Sequence, residues 1–589
     1  MKNFNRILVG MLSVALLTVS CQKFEVLNKD PNSLTQADAA PDYLMAGILT
    51  STAMDYGNLG SGNMSGAMQQ TANDAWSSTY SNYDWSSVDW SGIYGRLRNN
   101  QVLLSKAEAS DWKFHQGVAL VMRAFNFGYI ADFWGDAPYS AALKGDLVGA
   151  ENAYPVFDSQ ESIYDGVIAD LKAAIPLLSG SAASHPEITP ATTSSDVFYN
   201  GDTEKWSKLA NTLLLRYYMR LSSKRNVQAE VEAVSHNVFT SNDDDFAMAF
   251  PGQDGGTSYQ KNSEYNGASG FKRNKMSATF VSKLIELKDP RLVIMAEPIE
   301  TNSVVDGSKF DPTDDVNLTS YDDVENIRYI NPVAAAASNY KQFNQSTYSE
   351  DRPYGTPLDA VMNFYDTTPT YVGIPISYYG ETYTYNLNGT GGQANSSNAF
   401  VSYMRKDIYD QPSGDLLKQR LASYTEVCFD LAEAAQKGWN VGGSAEEWYN
   451  IGVKASFDLW QVFDHYQSDV DGYAGCVKDV DSYLAQPSVA YDGSLERIIE
   501  QKWVASWQAS VESFMDWRRT GFPTINIGYL SKRGAIPLRF SYSNTELQSN
   551  IENTNAAISK LEESSYVGSD GKNSPWSKFW LLQGTGKPW

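Results

Sequence analysis

The run Asn73-Asp74-Ala75-Trp76-Ser77-Ser78-Thr79-Tyr80-Ser81-Asn82-Tyr83-Asp84-Trp85 sets four aromatic rings among amides, hydroxyls and carboxylates, with one Ala as its only aliphatic side chain. A neutral sugar offers an apolar ring face and a rim of hydroxyls, so it is held by flat aromatics beside Asn, Gln, Asp and Arg. The scarcity of aliphatic side chains argues against a core strand and for an exposed surface. Trp76, Tyr80, Tyr83 and Trp85 are therefore the first candidates for ligand contact; the competing assignment is packing within the loop or against a partner protein. The whole chain shares the bias, with 15 Trp and 36 Tyr against 24 Phe. Rings with a polar handle suit surfaces that bind while staying wet.

Other chemistries lose their usual signatures. The 46 basic and 69 acidic side chains leave a net charge of −23, which excludes a nucleic-acid binder held by phosphate contacts. His115, His185, His236 and His465 are scattered, with no HExxH and no paired metal spacing. No GxxxxGK[ST], no GxGxxG after a strand and no GxSxG elbow occurs. A glycosidase needs only two carboxylates at the right separation, so a glycoside hydrolase stays open as an alternative. Asp469 and Asp471 before Gly472, and the run Asp243-Asp244-Asp245, are candidate calcium ligands without the EF-hand spacing; solvated acidic loops are the simpler expectation, and no cofactor is expected otherwise.

Lys2 and Arg6 precede an apolar run from Ile7 to Thr18, the length of a secretory signal and too short for a permanent span. Thr18-Val19-Ser20-Cys21 resembles a bacterial lipobox, with Thr18 where Leu is usual, so residues 1–20 read as a signal peptide and Cys21 as the lipidation site. Several acyl chains at ~0.8 kcal/mol per buried methylene would fix the chain to a membrane, whereas one would not. Residues 21–40, with turn chemistry at Asp30-Pro31-Asn32-Ser33, read as a tether. Cys428 lies on an apolar helical face, which predicts an inert core thiol.

The elements that must position these groups are mostly helical. A helix is expected from Asp42 to Gly57. Phe114, Val118, Val121, Met122, Phe125, Tyr129 and Phe133 recur at three and four, one stripe on one helix. Asp158 and Glu161 suggest a capping box ahead of Ile163, Val167, Leu171 and Leu178. A third stripe, Trp206, Leu209, Leu213, Tyr217 and Leu221, starts near Asp202. From about 240 to 415 periodicity fails apart from Met276–Leu287, Trp is absent, and runs such as Tyr383-Thr384-Tyr385 suggest short hairpins. Helices return over Leu417–Lys437 with Gly438 as the stop, Ser444–Tyr466 with Ser444 and Glu447 as a capping box, and Ser494–Phe514. Amphipathic helices that cannot bury their stripes alone call for stacking, tetratricopeptide-like in geometry without a strict period. The expected class is mainly α, a right-handed stack of tetratricopeptide-like helix pairs with a loop-rich lobe containing short β-hairpins. The halves run over 41–240 and 416–589, with the lobe at 241–415.

Several segments, in order, resemble the SusD/RagB family of nutrient-binding outer-membrane lipoproteins. They are Trp90-Ser91-Gly92-Ile93-Tyr94, Arg123-Ala124-Phe125, Asp132-Phe133-Trp134-Gly135-Asp136-Ala137-Pro138-Tyr139 and Trp206-Ser207-Lys208-Leu209-Ala210-Asn211. The second half adds Asp289-Pro290-Arg291-Leu292, Leu431-Ala432-Glu433-Ala434-Ala435, Asp516-Trp517-Arg518-Arg519-Thr520-Gly521-Phe522-Pro523 and Ile536-Pro537-Leu538-Arg539. These motifs read physically as core and turn, with Arg518 and Arg519 paired to buried acids. The resemblance implies a non-catalytic, lipid-anchored protein on the outer membrane. It would capture a glycan or a peptide and pass it to a SusC/RagA-type TonB-dependent transporter. It also implies ligand aromatics from the loop ahead of the Trp-x-x-x-Tyr helix and from the lobe, which adds Tyr259, Tyr265, Asn266 and Arg273, with Phe271 and Lys272 beside them. The ring cluster favours glycan over peptide, and a surface adhesin is the third reading.

Overall fold

The computed structural model describes residues 39–73, 83–145, 153–259, 274–313, 319–336, 340–342, 363–365, 370–374, 399–527 and 531–587. The candidates Cys21, Trp76, Tyr80, Tyr265, Asn266 and Arg273 and the Tyr383-Thr384-Tyr385 run lie outside them.

The first half is built from α1 (Pro41–Asn58), α2 (Ser91–Ala109), α3 (Lys113–Trp134), α4 (Gln160–Leu177) and α5 (Thr203–Leu221). Each of the last four packs on its neighbour in sequence. The stripes explain this order, because a helix with one apolar face must find a second surface to cover it. α3 is buried on nearly every side, so it takes partners all round. Gly128 is what lets α5 close on it: a Cβ there would stand 1.9 Å from the Tyr217 hydroxyl. The capping signal at α4 is offset by one residue. Ser159, not Asp158, is the N-cap, accepting from the Ser162 amide at 3.1 Å. Asp158 instead accepts the Tyr139 and Ser140 amides at 3.0 and 2.8 Å, so its carboxylate is committed to the turn after α3.

The lobe carries α6 (Ala278–Glu286) and short strands. β1 (Thr71–Asn73), from the first half, pairs with β3 (Asn274–Met276), and β2 (Phe246–Met248) pairs with β9 (Gln419–Ala422), both antiparallel. β4 (Asn302–Val305), β5 (Thr319–Asp322) and β6 (Ile327–Ile330) form one sheet with β6 central; β5 and β6 make a hairpin and β4 is parallel to β6. β7 (Tyr340–Gln342) pairs with β8 (Asn363–Tyr365) in parallel.

The second half contributes α7 (Tyr424–Gln436), α8 (Ala445–Leu459), α9 (Leu495–Ala505) and α10 (Val511–Thr520). Three expected helices are shorter. Leu417–Lys437 gives its first part to β9, whose Gln419–Ala422 pairs with β2. Ser444–Tyr466 stops at Leu459. Ser494–Phe514 breaks into α9 and α10 at Ser506–Ser510, where Ser hydroxyls bond local carbonyls and compete with the helix. The Ser444–Glu447 capping box is present. Gly438, at φ 83°, ends α7 as the left-handed residue that lets the Trp439 amide reach back to Ala434 O.

A buried ionic seam joins the halves. Arg216 of α5 clasps Glu426 of α7 with 2.7 and 2.6 Å bonds. Arg220 bridges Asp132 of α3 to Glu512 of α10. Tyr56 donates to Glu512 at 2.9 Å and Tyr164 to Asp132 at 2.7 Å. Lys502 sits between Asp430 and Asp516 at 2.6 and 2.8 Å, and Arg519 joins Asp516 to Glu433. Burial alone would raise the carboxyls of Glu512 and Glu433, yet the facing cations hold both down to about 2. Arg519 thus pairs with acids as expected. Arg518 does not: its Nη1 donates to the Asp132 and Leu538 carbonyls at 2.8 Å each, and its guanidinium lies 4.8 and 5.1 Å from the Phe514 and Phe579 rings. With burial the dominant influence, its pKa falls to about 10. Cys428 and Cys476 are buried free thiols.

Candidate ligand-binding site

The β1–β3 ribbon pairs the residues that flank two candidate segments. Asn73, the last residue of β1, pairs with Asn274, the first of β3. The segment beginning at Asp74 and the segment ending at Arg273 therefore leave the ribbon at the same end. The aromatic run around Trp76 and Tyr80 and the lobe run through Tyr265, Asn266 and Arg273 share one root, although they are far apart in the chain.

That root is held by two fully buried amides. Gln70 donates to Trp503 O at 2.7 Å, and Ser510 Oγ donates to Gln70 Oε1. Gln69, at φ 54°, donates through Nε2 to the Tyr83 hydroxyl at 2.8 Å and to Asn526 O at 2.9 Å, and accepts from Thr279 Oγ1 at 2.9 Å. Every polar atom of its side chain is used, and a buried amide left short of partners costs about 1–3 kcal/mol. Gln69 thus clasps the far end of the 74–82 segment at Tyr83, while β1 holds the near end.

Three of the eight expected contact residues turn out to be roots rather than open ring surfaces. Tyr83 is 0% exposed, and its hydroxyl donates to Ala67 O at 3.1 Å; burial pushes its phenol well above the ordinary value. Its φ of 60° is unusual for a bulky residue. Trp85, 6% exposed, packs 5.4 Å from Phe514 and 5.6 Å from Phe540. Tyr259, 7% exposed, packs 5.5 Å from Phe250, and its amide donates to Pro412 O at 2.6 Å. The physical reason is common to all three: each is the aromatic at the end of a polar segment, where the chain re-enters the core, and a ring there gains about 25 cal/mol per Å² of apolar surface by turning inward. On β3, Lys275 is fully buried, with its Nζ 5.1 Å from the Tyr403 ring and its pKa driven down by burial.

Sequence reasoning missed Gln69 and Gln70. Nothing in a polar Met-Gln-Gln-Thr stretch marks an amide as buried, and only the partners, drawn from Tyr83, Thr279 and residues 503–526, reveal it.

The acidic runs serve other ends. Asp244 accepts from Lys208 and Thr240, Asp245 accepts the Tyr424 amide and faces Arg420, and Asp469 pairs with Arg405. Burial raises Asp245 to about 7 despite Arg420. His115 bonds Asp42 and His185 faces Glu187. Among the described residues, no group of three or more His, Cys, Asp or Glu is placed to hold a metal, and no helix is long and apolar enough to cross a membrane.

The architecture is a stacked-helix scaffold carrying a short antiparallel ribbon and a loop-rich lobe. The family model described as "Starch-binding associating with outer membrane" matches residues 31–338 and 362–543; the chain belongs to this SusD-like family. Solved structures share the fold along nearly the whole length. A SusD homologue from Bacteroides fragilis matches at 19% identity and TM-score 0.68, covering 92% of this chain and 100% of the other. A chitin-binding protein matches at 25% identity and TM-score 0.61, with the same coverage. A chitin-binding SusD homologue from Flavobacterium johnsoniae matches at 19% identity and TM-score 0.60, covering 90% and 98%. No curated protein matches.

Proposed function

We propose that this protein is a non-catalytic, lipid-anchored binding protein of the outer membrane that captures an oligo- or polysaccharide and hands it to a SusC/RagA-type TonB-dependent transporter. The observation that carries the reading is the Asn73–Asn274 pairing, which gives two aromatic and amide-bearing segments a common root in a member of a starch-binding family. Trp76, Tyr80, Tyr265, Asn266 and Arg273 would supply ring faces and hydroxyl partners, with Tyr83, Trp85 and Tyr259 holding the segments in place. Chitin binding by two structural relatives supports a glycan over a peptide. Cys21 would carry the lipid. Such a role needs brief capture, and shallow ring platforms release what they hold more readily than deep clefts.

The test is calorimetry of the mature protein against a panel of soluble glycans and peptides, repeated with Trp76→Ala and Tyr80→Ala. One glycan class binds, at least tenfold more weakly in either variant, about 1.4 kcal/mol per variant, and is not shortened. Release of reducing ends, or binding of peptides alone, overturns the reading.

A further inference from the structure

A second concave surface opens where the lobe meets the helical body, lined by residues that belong to neither the 74–82 nor the 260–273 segment. It is a groove of about 880 Å³. The backbone behind it is continuous with the ribbon: Met276 N donates to Ser402 O at 3.2 Å, Ser402 N to Val372 O at 2.8 Å and Glu297 N to Tyr403 O at 2.9 Å.

Arg405 organises the groove. Its Nε and Nη2 grip both oxygens of Asp407 at 2.7 and 2.8 Å, Nη2 also reaches Asp469 Oδ1 at 3.1 Å, and Nη1 donates to Val293 O at 2.9 Å. Its guanidinium lies 4.7 Å from the Tyr466 ring centre. The two carboxylates are thereby fixed in position while remaining exposed, and each oxygen keeps a lone pair for a further donor. Glu297 is fixed as well, by the Lys406 amide at 2.6 Å. Beside them Tyr473 stands half-buried, its ring held edge-on by Tyr371 at 5.1 Å. Lys478 and the Cys476 thiol bond the Tyr473 carbonyl and tie down the loop that carries it.

A half-exposed ring beside acceptors already oriented by a guanidinium is a site for a molecule with an apolar face and several hydroxyl donors. Among the described residues of the lining, three carboxylates outnumber Arg405, with Lys478 bonded to the carbonyls behind the loop, and this net negative charge disfavours a uronate or a sulfate. Among the described residues, Val293 and Ala296 of the lining are buried and offer little apolar surface to a lipid or an apolar peptide side chain. We infer that this groove is a second saccharide subsite, which takes a neutral sugar ring over Tyr473 with its hydroxyls donated to Asp407 and Asp469. The inference rests on the glycan-capture reading. Because the acceptors are held before the ligand arrives, little ordering entropy is lost on binding.

The experiment uses the neutral soluble glycan that the wild-type mature protein binds, and a sulfated glycan of the same backbone. Calorimetry compares wild type, Trp76→Ala/Tyr80→Ala, Tyr473→Ala, Asp469→Asn and the combination of the first with Tyr473→Ala. The loop double variant should keep weak binding of the neutral glycan, and adding Tyr473→Ala should abolish it. Tyr473→Ala and Asp469→Asn should each weaken the wild-type protein about fivefold, within the range of a ring contact or a hydrogen bond, with unchanged thermal unfolding. The sulfated glycan should bind the loop double variant no better than buffer. Isotherms for Tyr473→Ala and Asp469→Asn identical to wild type, or a loop double variant with no residual binding, overturn the subsite while leaving the capture reading intact. Absence of binding by wild type to every glycan overturns both.

Discussion

The helical body and the lobe use the same aromatic-rich composition in opposite ways. In the body, rings are locked: Phe133 stacks on Phe540 at 4.6 Å, and Trp90 touches Tyr94, Trp134, Phe157 and Tyr542 within 5.8 Å. Charges there are buried and paired across the seam. In the lobe, the sheet of β4, β5 and β6 leaves Val304 and Tyr321 exposed, and Val324 stands exposed in the turn between β5 and β6. The difference teaches where rigidity is needed. The body fixes the roots at Gln69, Gln70, Tyr83 and Trp85, and whatever is hung from them can vary without disturbing the core.

Breaking the body should therefore have the largest effect. Arg220→Ala leaves Asp132 and Glu512 buried without their shared cation, and the expected loss is about 3–5 kcal/mol, read by denaturant unfolding. Lowering the pH attacks the same seam. Glu433 and Glu512 sit near 2 in the folded protein against about 4.3 for a free Glu. Their contribution is present above the unfolded value and is lost as pH falls from about 5 towards 2, so stability should drop steeply over that window. Arg216→Met, which removes one of the cations facing Glu512, should flatten the drop; an unchanged slope contradicts the account. The smallest effect belongs to the lobe: Val324→Lys, at the exposed tip between β5 and β6, should move stability by no more than about 0.5 kcal/mol, and a larger change would show that this tip, like the paired strands β2 and β3, bears on the core.

The body was legible because burial writes itself as periodicity. The stripes at Phe114–Phe133 and Trp206–Leu221 and the box at Ser444 lie on the helices they suggest. Local ambiguity moved the edges: Asp158 and Ser159 are both good caps, and only the demand of the Tyr139 and Ser140 amides for an acceptor assigns them. Leu417–Ala422 carries apolar residues that suit a strand or a helix equally, and β2, distant in sequence, decides. Of the candidate contact residues, Tyr83, Trp85 and Tyr259 lie among the described residues, and their burial was not legible in the sequence. Tyr83 and Trp85 face inward because Gln69, nearby in the chain, and Phe514 and Phe540, far along it, enclose them, and local composition does not show those partners. Arg518 and Arg519 are adjacent and identical in type; the helix turn sends one to acids and the other to carbonyls and rings.

The one-to-one register of Asn73 with Asn274 has an evolutionary consequence. Under the proposed capture role, lengthening or recolouring either segment would change what the pair recognises while the strands beneath keep their alignment, so two stretches remote in the gene would act as a single cassette. Exchanging both together between relatives should carry ligand preference with them, whereas exchanging one alone should yield a mismatched half.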